Sequence, residues 1–121
     1  MHCPFCRVPP DKYLAENEHF FVIRDIRPVT PGHCLIVAKR HVPDFFALES
    51  GEMASLHDLA LRLKAILEQE LQPEAYNLGM NCGAAAGQSV FHFHLHFIPR
   101  SRGDRRSLRD LREFIFRPRN P

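Results

Sequence analysis

The segment Val90-Phe91-His92-Phe93-His94-Leu95-His96-Phe97-Ile98 places a histidine at every second position. Its β-branched and aromatic residues predict a strand over 90–98, in which side chains alternate between two faces. His92, His94 and His96 are therefore expected on one accessible face, and the apolar residues, Phe91 included, on the face that packs against the core. Such imidazoles could ligate a metal with an open fourth position. Alternatively, one could act as a nucleophile while its neighbours stabilise charge.

The loop before this strand favours phosphorus chemistry. Residues 83–89, Gly-Ala-Ala-Ala-Gly-Gln-Ser, are small enough for a backbone to approach a ligand closely. Gly87, Gln88 and Ser89 offer backbone N–H groups, an amide and a hydroxyl, and Asn81 adds another amide. These groups suit a phosphate. Phosphoryl transfer depends mainly on positioning and charge stabilisation, so a phosphate beside a histidine nucleophile is the better fit.

The cysteines do not form a disulfide framework. Cys3 and Cys6 make a Cys-Pro-Phe-Cys pair, which in an intracellular chain indicates a metal knuckle or a redox pair. A thioredoxin-like redox pair should follow a strand and open a helix, whereas this pair opens the chain, so metal binding is favoured. Cys34 and Cys82 stand alone in apolar segments and are expected to be small buried hydrophobes.

The remaining patterns indicate the elements that must position these residues. Strands are predicted over residues 19–24, 33–38, 75–81 and 90–98. Apolar residues at helical spacing predict an amphipathic helix over 49–71, with Ser50 as its N-cap and Pro73 just past its end. The turn chemistry of residues 27–32 makes the first two strands an antiparallel pair. The fold class is therefore α+β, with one long helix packed on an antiparallel sheet.

Composition narrows the class of protein further. A chain of 121 residues, 45% hydrophobic and with a formal net charge of +2, suits one globular domain and excludes a collagen or a wholly disordered chain. No apolar run approaches the ~18 residues of a membrane span. The N-terminus lacks the basic flank and apolar stretch of a signal peptide. We therefore expect a soluble cytoplasmic protein with no membrane partner.

Charge is concentrated at the C-terminal end. Residues 100–121 carry eight arginines against three acidic residues, a formal charge of +5, whereas residues 1–99 are mildly acidic at −3. Such a segment is either a solvated tail or a region that attracts phosphates. It lacks interleaved aromatic residues of the kind that stack bases, so nucleic acid is not expected as the main partner.

Two blocks of the sequence resemble the histidine-triad (HIT) family of nucleotide hydrolases and transferases. One is Asn81–Arg100, with the Gly-Gln-Ser loop and the alternating histidines. The other runs from Arg24-Asp25-Ile26-Arg27-Pro28 through Gly32-His33 to Lys39-Arg40-His41-Val42. The resemblance implies a single HIT domain over 1–121, with a core at about 3–100 and a basic C-terminal segment at 101–121. It also implies a homodimer in which the antiparallel sheet continues across the interface.

The resemblance implies roles for individual residues. His94 would attack the α-phosphorus of a nucleoside phosphate, and water or another acceptor would resolve the nucleotidyl-histidine. The carbonyl of His92 would fix the tautomer of His94, and Asp25 would accept the ribose hydroxyls, although a turn cap before Pro28 is the alternative for this carboxylate. Ser89 would contact the leaving-group or bridging oxygen. The implied catalytic residues are His94, His96, Ser89 and His33, and the implied substrate-binding residues are Asp25, Asn81, Gly87, Gln88, Ser89, His94 and His96, of which His96, Asn81 and Gln88 would hold phosphate oxygens.

Some members of the family carry a zinc site, which gives the cysteine pair its partners. The implied ligands here are Cys3, Cys6, His41 and His92, a closed Cys₂His₂ set of the structural kind. This site would remove His92 from catalysis and tie the N-terminus to the catalytic strand. The alternative is a frayed terminus with free thiols. No organic cofactor is implied.

The substrate class is implied less directly. The run Ile98-Pro99-Arg100 followed by Gly103-Asp104 resembles the diadenosine polyphosphate hydrolases of the family. A dinucleoside polyphosphate is therefore the preferred substrate and a purine nucleotide the expected partner. A nucleoside phosphoramidase, a nucleotide-binding protein with incidental hydrolysis and a zinc enzyme that uses the triad as ligands are the alternatives.

Overall fold

The computed structural model describes residues 3–104, which form one antiparallel sheet and one long helix. The strands are β1 (Ala15–Glu16), β2 (Phe20–Arg24), β3 (Cys34–Ala38), β4 (Ala75–Gly79) and β5 (His94–Arg100), and the helix is α1 (Ser50–Glu70). Short 3-10 turns lie at Pro4–Arg7, Pro10–Lys12, Phe45–Ala47 and Ala84–Ala86. Most of the basic segment predicted at 101–121 lies outside the described residues, which end at 104. The expected attraction of this segment for phosphates therefore stays a prediction.

The sheet has the order β1-β2-β3-β5-β4, and every neighbouring pair is antiparallel. All five residues of β3 are buried, so this apolar strand lies at the centre of the fold. β5 lies beside it, with His94 opposite Val37 and His96 opposite Leu35. The histidine-bearing strand is thus held between β3 and β4, which gives its side chains a rigid support.

Helix α1 covers one face of the sheet with a leucine stripe at helical spacing. Leu59, Leu63 and Leu67 are fully buried and pack with apolar residues of β2, β3 and β5. Burial of one such side chain contributes about 1.5–3 kcal/mol to stability. The predicted α+β architecture is confirmed. None of the helices between residues 3 and 104 combines the length and apolarity that a bilayer crossing requires.

Several predicted element boundaries are wrong. The helix begins at Ser50, so Ser50 is its first residue and not its N-cap; Glu49 holds that position, and its backbone N–H donates to the Glu52 carboxylate at 2.9 Å. The strand predicted over 75–81 ends at Gly79, and β1 was not predicted because two residues carry no periodic pattern.

The largest correction concerns the histidine strand, which begins at His94 and not at residue 90. Residues 90–93 form an irregular approach held by hydrogen bonds from Phe93 N–H to the Val42 carbonyl and from Ala38 N–H to the Phe93 carbonyl. His92 and His96 are 0% and 3% exposed, whereas Phe91 is 49% exposed. The predicted accessible face of three imidazoles is therefore wrong, since only His94 is partly exposed.

Candidate active site and metal cluster

His94 is the first residue of β5 and is half-buried. Its Nδ1 lies 2.8 Å from the backbone carbonyl oxygen of His92. A carbonyl only accepts hydrogen bonds, so Nδ1 must carry the proton and donate it. In the neutral ring, the lone pair is then at Nε2. This is the arrangement that a nucleophilic imidazole requires.

His92 has a different hydrogen bond and a different environment. Its Nε2 donates to the carbonyl oxygen of Ala38 at 2.6 Å, so its lone pair is at Nδ1. Burial lowers the pKa of this ring below its ordinary value, which favours the neutral form. A neutral imidazole with its second nitrogen held by a backbone carbonyl is the form in which histidine ligates metals.

The Nδ1 atom of His92 faces three further donor atoms. It lies 3.3 Å from Cys3 Sγ, 3.5 Å from Cys6 Sγ and 3.2 Å from His41 Nδ1, and Cys6 Sγ lies 3.2 Å from His41 Nδ1. Ligand atoms of a tetrahedral zinc site with ordinary bond lengths are about 3.3–3.8 Å apart. The four residues therefore fit a zinc ion in both donor type and spacing, and they could hold a metal.

A second cluster lies on the other side of His94 and is buried throughout. It consists of Asp25, His33 and His96. Gly32, with φ of 90°, turns the chain immediately before His33, and a Cβ at this position would collide with Leu71 and Pro99. The Gly-His pair that the sequence singled out is therefore a close-packed turn that delivers His33 to the interior.

Hydrogen bonds order the protons of this second cluster. His33 Nδ1 accepts from the backbone N–H of Val29 at 3.0 Å, so the proton of the neutral ring is at Nε2. That nitrogen lies 3.0 Å from His96 Nδ1 and 3.3 Å from Asp25 Oδ2. Because His33 donates at this contact, His96 Nδ1 accepts, and its proton is at Nε2. His96 thereby becomes a hydrogen-bond donor at the nitrogen opposite His33.

Asp25 caps a turn, which is the alternative role considered for it, and it also contacts a histidine. Its Oδ1 accepts from the backbone N–H of Arg27 at 2.8 Å, which is a turn cap, while Oδ2 faces His33. Its side chain is fully buried. The ribose contact stays a prediction, and it requires the ribose hydroxyls to share or displace these contacts.

The small-residue loop is shaped by its own glycines and glutamine. Gly83 and Gly87 have φ of 100° and 97°, which L-residues with a side chain rarely adopt. The Gln88 side chain accepts from Gly83 N–H at 2.7 Å and donates to the carbonyls of Pro43 and Val90 at 2.6 and 3.0 Å. The predicted phosphate contact of Gln88 stays a prediction, and it requires the amide to leave these partners.

Two other predicted loop residues lie nearer the surface. Ser89 is exposed directly after Gln88, and Asn81 is half-buried ahead of the loop. Residues that sequence reasoning missed include Phe5, whose ring contacts that of His94, and the backbone groups of Ala38 and Val29. The only sign in the sequence that Phe5 is buried near the site is its place as an aromatic residue between two cysteines. Backbone partners leave no signal in side-chain types.

Comparisons with known proteins agree with this geometry. A family model described as the HIT domain matches residues 7–103. The chain is 37% identical over 102 residues to an uncharacterised HIT-like protein of Mycoplasma genitalium, covering 81% of this chain and 72% of that protein. Among solved structures it resembles a zinc-bound histidine triad family protein of Mycobacterium smegmatis, with a TM-score of 0.77, 33% identity and coverage of 95% and 90%. It also resembles the NitFhit protein of Caenorhabditis elegans, with a TM-score of 0.75, 35% identity and coverage of 89% of this chain but 26% of that one.

The antiparallel sheet, the one long helix and three alternate histidines at the start of an inner strand are the features of a histidine-triad domain. The chain belongs to the HIT family. Members of this family are commonly nucleotide hydrolases or transferases. The family match begins at Arg7, so Cys3 and Cys6 lie ahead of it. The zinc-bound relative nevertheless matches nearly the whole of this chain, in agreement with the spacing of the four candidate ligands.

Proposed function

We propose that this protein cleaves a nucleoside phosphate at its α-phosphorus through a nucleotidyl intermediate on His94. The observation that carries the proposal is the 2.8 Å hydrogen bond from His94 Nδ1 to the His92 carbonyl. It leaves the lone pair at Nε2, on the one triad ring that is partly exposed. His92 and His96 are buried, so neither is as well placed to reach a substrate.

The reaction balances without a further reagent. The Nε2 lone pair of His94 forms a bond to phosphorus, and the bond from phosphorus to the leaving-group oxygen breaks. The leaving group departs with the electron pair of that bond and takes a proton from its surroundings, with Ser89 proposed to hydrogen-bond this oxygen. Water or another acceptor then attacks phosphorus, the P–N bond breaks, and His94 regains its lone pair.

Charge on the phosphate oxygens requires fixed donors. His96 supplies one, because the chain of hydrogen bonds from Val29 through His33 places its proton at Nε2. Asn81 and Ser89 are proposed to supply others, whereas the backbone N–H groups of Ala86, Gly87 and Gln88 already donate within the loop. Donors held in advance stabilise developing charge without reorganisation, which is the main term in phosphoryl transfer.

We assign zinc a structural role at Cys3, Cys6, His41 and His92. All four positions of a tetrahedral ion would be filled by protein, which leaves none for substrate. When bound, the ion supplies a cross-link between the N-terminus, the segment after β3 and the approach to β5, and it withdraws His92 from catalysis. Thiolate ligands need a reducing compartment, which supports a cytoplasmic location.

A homodimer is proposed at β4, which is the edge strand of the sheet on the side of β5. Leu78 on this strand is 53% exposed. An edge strand with an exposed apolar side chain is a site for pairing with another chain. A second copy of β4 would cover it and continue the sheet. The mass of the protein in solution tests this directly.

A dinucleoside polyphosphate is the preferred substrate, on the resemblance of residues 98–104. In the structure, Arg100 in this run makes a two-pronged ion pair with Asp104 at 2.9 and 2.6 Å, which closes the turn after β5. Because Arg100 is paired with Asp104, this run does not itself identify the leaving group, which is tested with a panel of substrates. A panel of diadenosine tetraphosphate, an ADP-sugar and an adenosine phosphoramidate separates the hydrolase from the phosphoramidase. A binding protein would bind nucleotide and turn over none of the three.

The central test is His94→Ala, compared with His57→Ala as a matched control on the exposed face of α1. We expect His94→Ala to lower kcat/KM at least ~10³-fold, because a covalent nucleophile is removed, and His57→Ala to leave it unchanged. Mass spectrometry of the wild type, denatured at alkaline pH because the P–N bond of a nucleotidyl-histidine is labile to acid, should show one nucleotidyl group on His94. Activity that survives His94→Ala would refute the assignment. Loss of turnover on chelation with folding and the His94 adduct both unchanged would instead favour a catalytic metal.

A further inference from the structure

Phe5 lies between the two cysteines of the metal cluster, in the 3-10 helix Pro4–Arg7. It is 5% exposed and packs in a small apolar cluster with Phe21, Leu35 and Val37, apart from the main core under α1. Its burial therefore shows that the N-terminal segment is docked on the sheet.

The Phe5 ring contacts the proposed nucleophile directly. Its centroid lies 4.9 Å from that of His94, at an interplanar angle of 60°, and 5.8 Å from that of His92, at 78°. His94 also faces the His96 ring at 5.5 Å. These separations are those of packed aromatic pairs. Two rings, one from the N-terminus and one from β5, thus contact the imidazole that must attack phosphorus.

This packing adds to the orientation that the hydrogen bond from His94 gives. The bond from His94 Nδ1 to the His92 carbonyl fixes one ring atom. A hydrogen bond tolerates a range of angles, so the ring can still tilt within it and shift Nε2. Contact with Phe5 limits this tilt. The direction of Nε2 therefore depends on where Phe5 lies.

The position of Phe5 depends in turn on its neighbours Cys3 and Cys6. Their sulfur atoms lie 3.3 Å from His92 Nδ1 and 3.2 Å from His41 Nδ1, respectively. A metal ion held by these four residues would replace contacts with bonds on both sides of Phe5. The apolar contacts of Phe5, Cys3 and Val8 with the small apolar cluster are the part of the docking that needs no metal.

We propose that Phe5 is a positioning residue for His94, through which the metal-binding N-terminal segment sets the orientation of the nucleophile. The inference rests on the proposed function of His94, and it deepens it by making the Cys-x-x-Cys segment a regulator of catalysis. Metal occupancy of the cluster then controls turnover without the metal contacting substrate.

The test compares Phe5→Leu with Phe5→Tyr and with Phe21→Leu. Phe21 is buried in the same cluster but stacks on Tyr13, with ring centroids 4.2 Å apart, so its variant controls for lost stability. We expect Phe5→Leu to lower kcat about 10-fold with KM within about 2-fold, because a misplaced nucleophile slows chemistry more than binding. Phe5→Tyr keeps the ring and should restore most of kcat. Phe21→Leu should leave kcat within about 2-fold.

A second readout does not depend on activity. The ring-proton resonances of His94, assigned by their loss in His94→Gln, should shift in Phe5→Leu but not in Phe21→Leu, because a ring current is removed. Chelation of the wild type should shift them in the same direction and lower kcat, with a smaller effect in Phe5→Leu. Unshifted His94 resonances, or a raised KM with unchanged kcat in Phe5→Leu, would overturn the proposal. If no nucleotide forms an adduct on His94, the proposed function fails, and the resonances alone decide whether Phe5 and the metal orient the ring.

Discussion

The two clusters that flank His94 use histidine in opposite ways. The cluster of Cys3, Cys6, His41 and His92 is built largely from loops, and two of its members are exposed. The cluster of Asp25, His33 and His96 is buried throughout and lies between strands and a close-packed turn. The first gathers lone pairs, which suits a cation, whereas the second links two rings by a hydrogen bond.

The difference arises from the backbone partner of each ring. His92 meets the carbonyl of Ala38, so its other nitrogen keeps a lone pair and can ligate a metal. His33 meets the N–H of Val29, so its other nitrogen carries the proton and donates to His96. His94 meets a carbonyl, like His92, and its lone pair is the proposed nucleophile. Spacing in the sequence brings the rings together, and backbone hydrogen bonds assign their chemistry.

Among changes within these two clusters, the largest effect is expected where the hydrogen-bond chain of the buried cluster is cut. In His33→Asn the amide can take the place of Nδ1 and still accept from Val29, but it is too short to reach His96. In His33→Gln the amide can take the place of Nε2 and still donate to His96. We expect kcat to fall about 100-fold in His33→Asn, the effect of losing one oriented donor to a developing charge, and by under about 10-fold in His33→Gln.

Steady-state kinetics and metal analysis together check this prediction. Zinc content should be unchanged in both variants, because His33 does not belong to the metal cluster of Cys3, Cys6, His41 and His92. A larger fall in kcat in His33→Gln than in His33→Asn would contradict a hydrogen bond donated by His33 to His96.

This contrast also shows how far the sequence could be interpreted alone. Hydrophobic periodicity predicted α1 to within a residue at each end, and the antiparallel pairing of β2 with β3 is confirmed. The resemblance also grouped Cys3, Cys6, His41 and His92, which lie together in the structure. These successes depend on local patterns and on a family-level motif, both of which are carried by residue types.

Other features could not be predicted because they depend on contacts between distant parts of the chain. His92 lies ahead of β5 because Phe93 pairs with Val42 and Ala38, some fifty residues earlier. The burial of Asp25 and the contact of Phe5 with His94 likewise join segments far apart in the sequence. Alternation along a predicted strand contains no information about such partners.

A smaller effect on activity is expected when one ligand of the metal cluster is removed. Cys6→Ser replaces a thiolate with a weak ligand, so we expect the purified variant to lose stoichiometric zinc and its Tm to fall by about 5–10 °C, as a cross-link worth one to two kcal/mol would imply. Activity should fall only a few-fold. Cys82→Ser, outside the cluster, is the control for zinc content. Full zinc occupancy in Cys6→Ser, measured by elemental analysis, would refute the four-residue site.

The smallest effect, on thermal stability, is expected from the ion pair that joins the segment after β3 to helix α1. Arg40, next to His41, donates two hydrogen bonds to the buried Glu52 carboxylate at 2.7 and 2.8 Å. Hydrogen bonding by Arg40 lowers the pKa of Glu52 to about 2, from an ordinary value of 4.5. The ionised carboxylate thus stabilises the fold fully above pH 4.5, and this contribution is lost as the pH falls towards 2.

Thermal unfolding of the metal-free protein tests this. We expect Glu52→Gln to lower Tm by about 2–4 °C at pH 7 and by less at pH 3, since the wild type has by then lost part of the same contribution. Glu68→Gln, which removes the exposed i,i+4 pair with Lys64, should change Tm by under about 1 °C. If the difference between Glu52→Gln and the wild type were the same at both values of pH, the stabilisation would come from packing of the side chain and not from its charge.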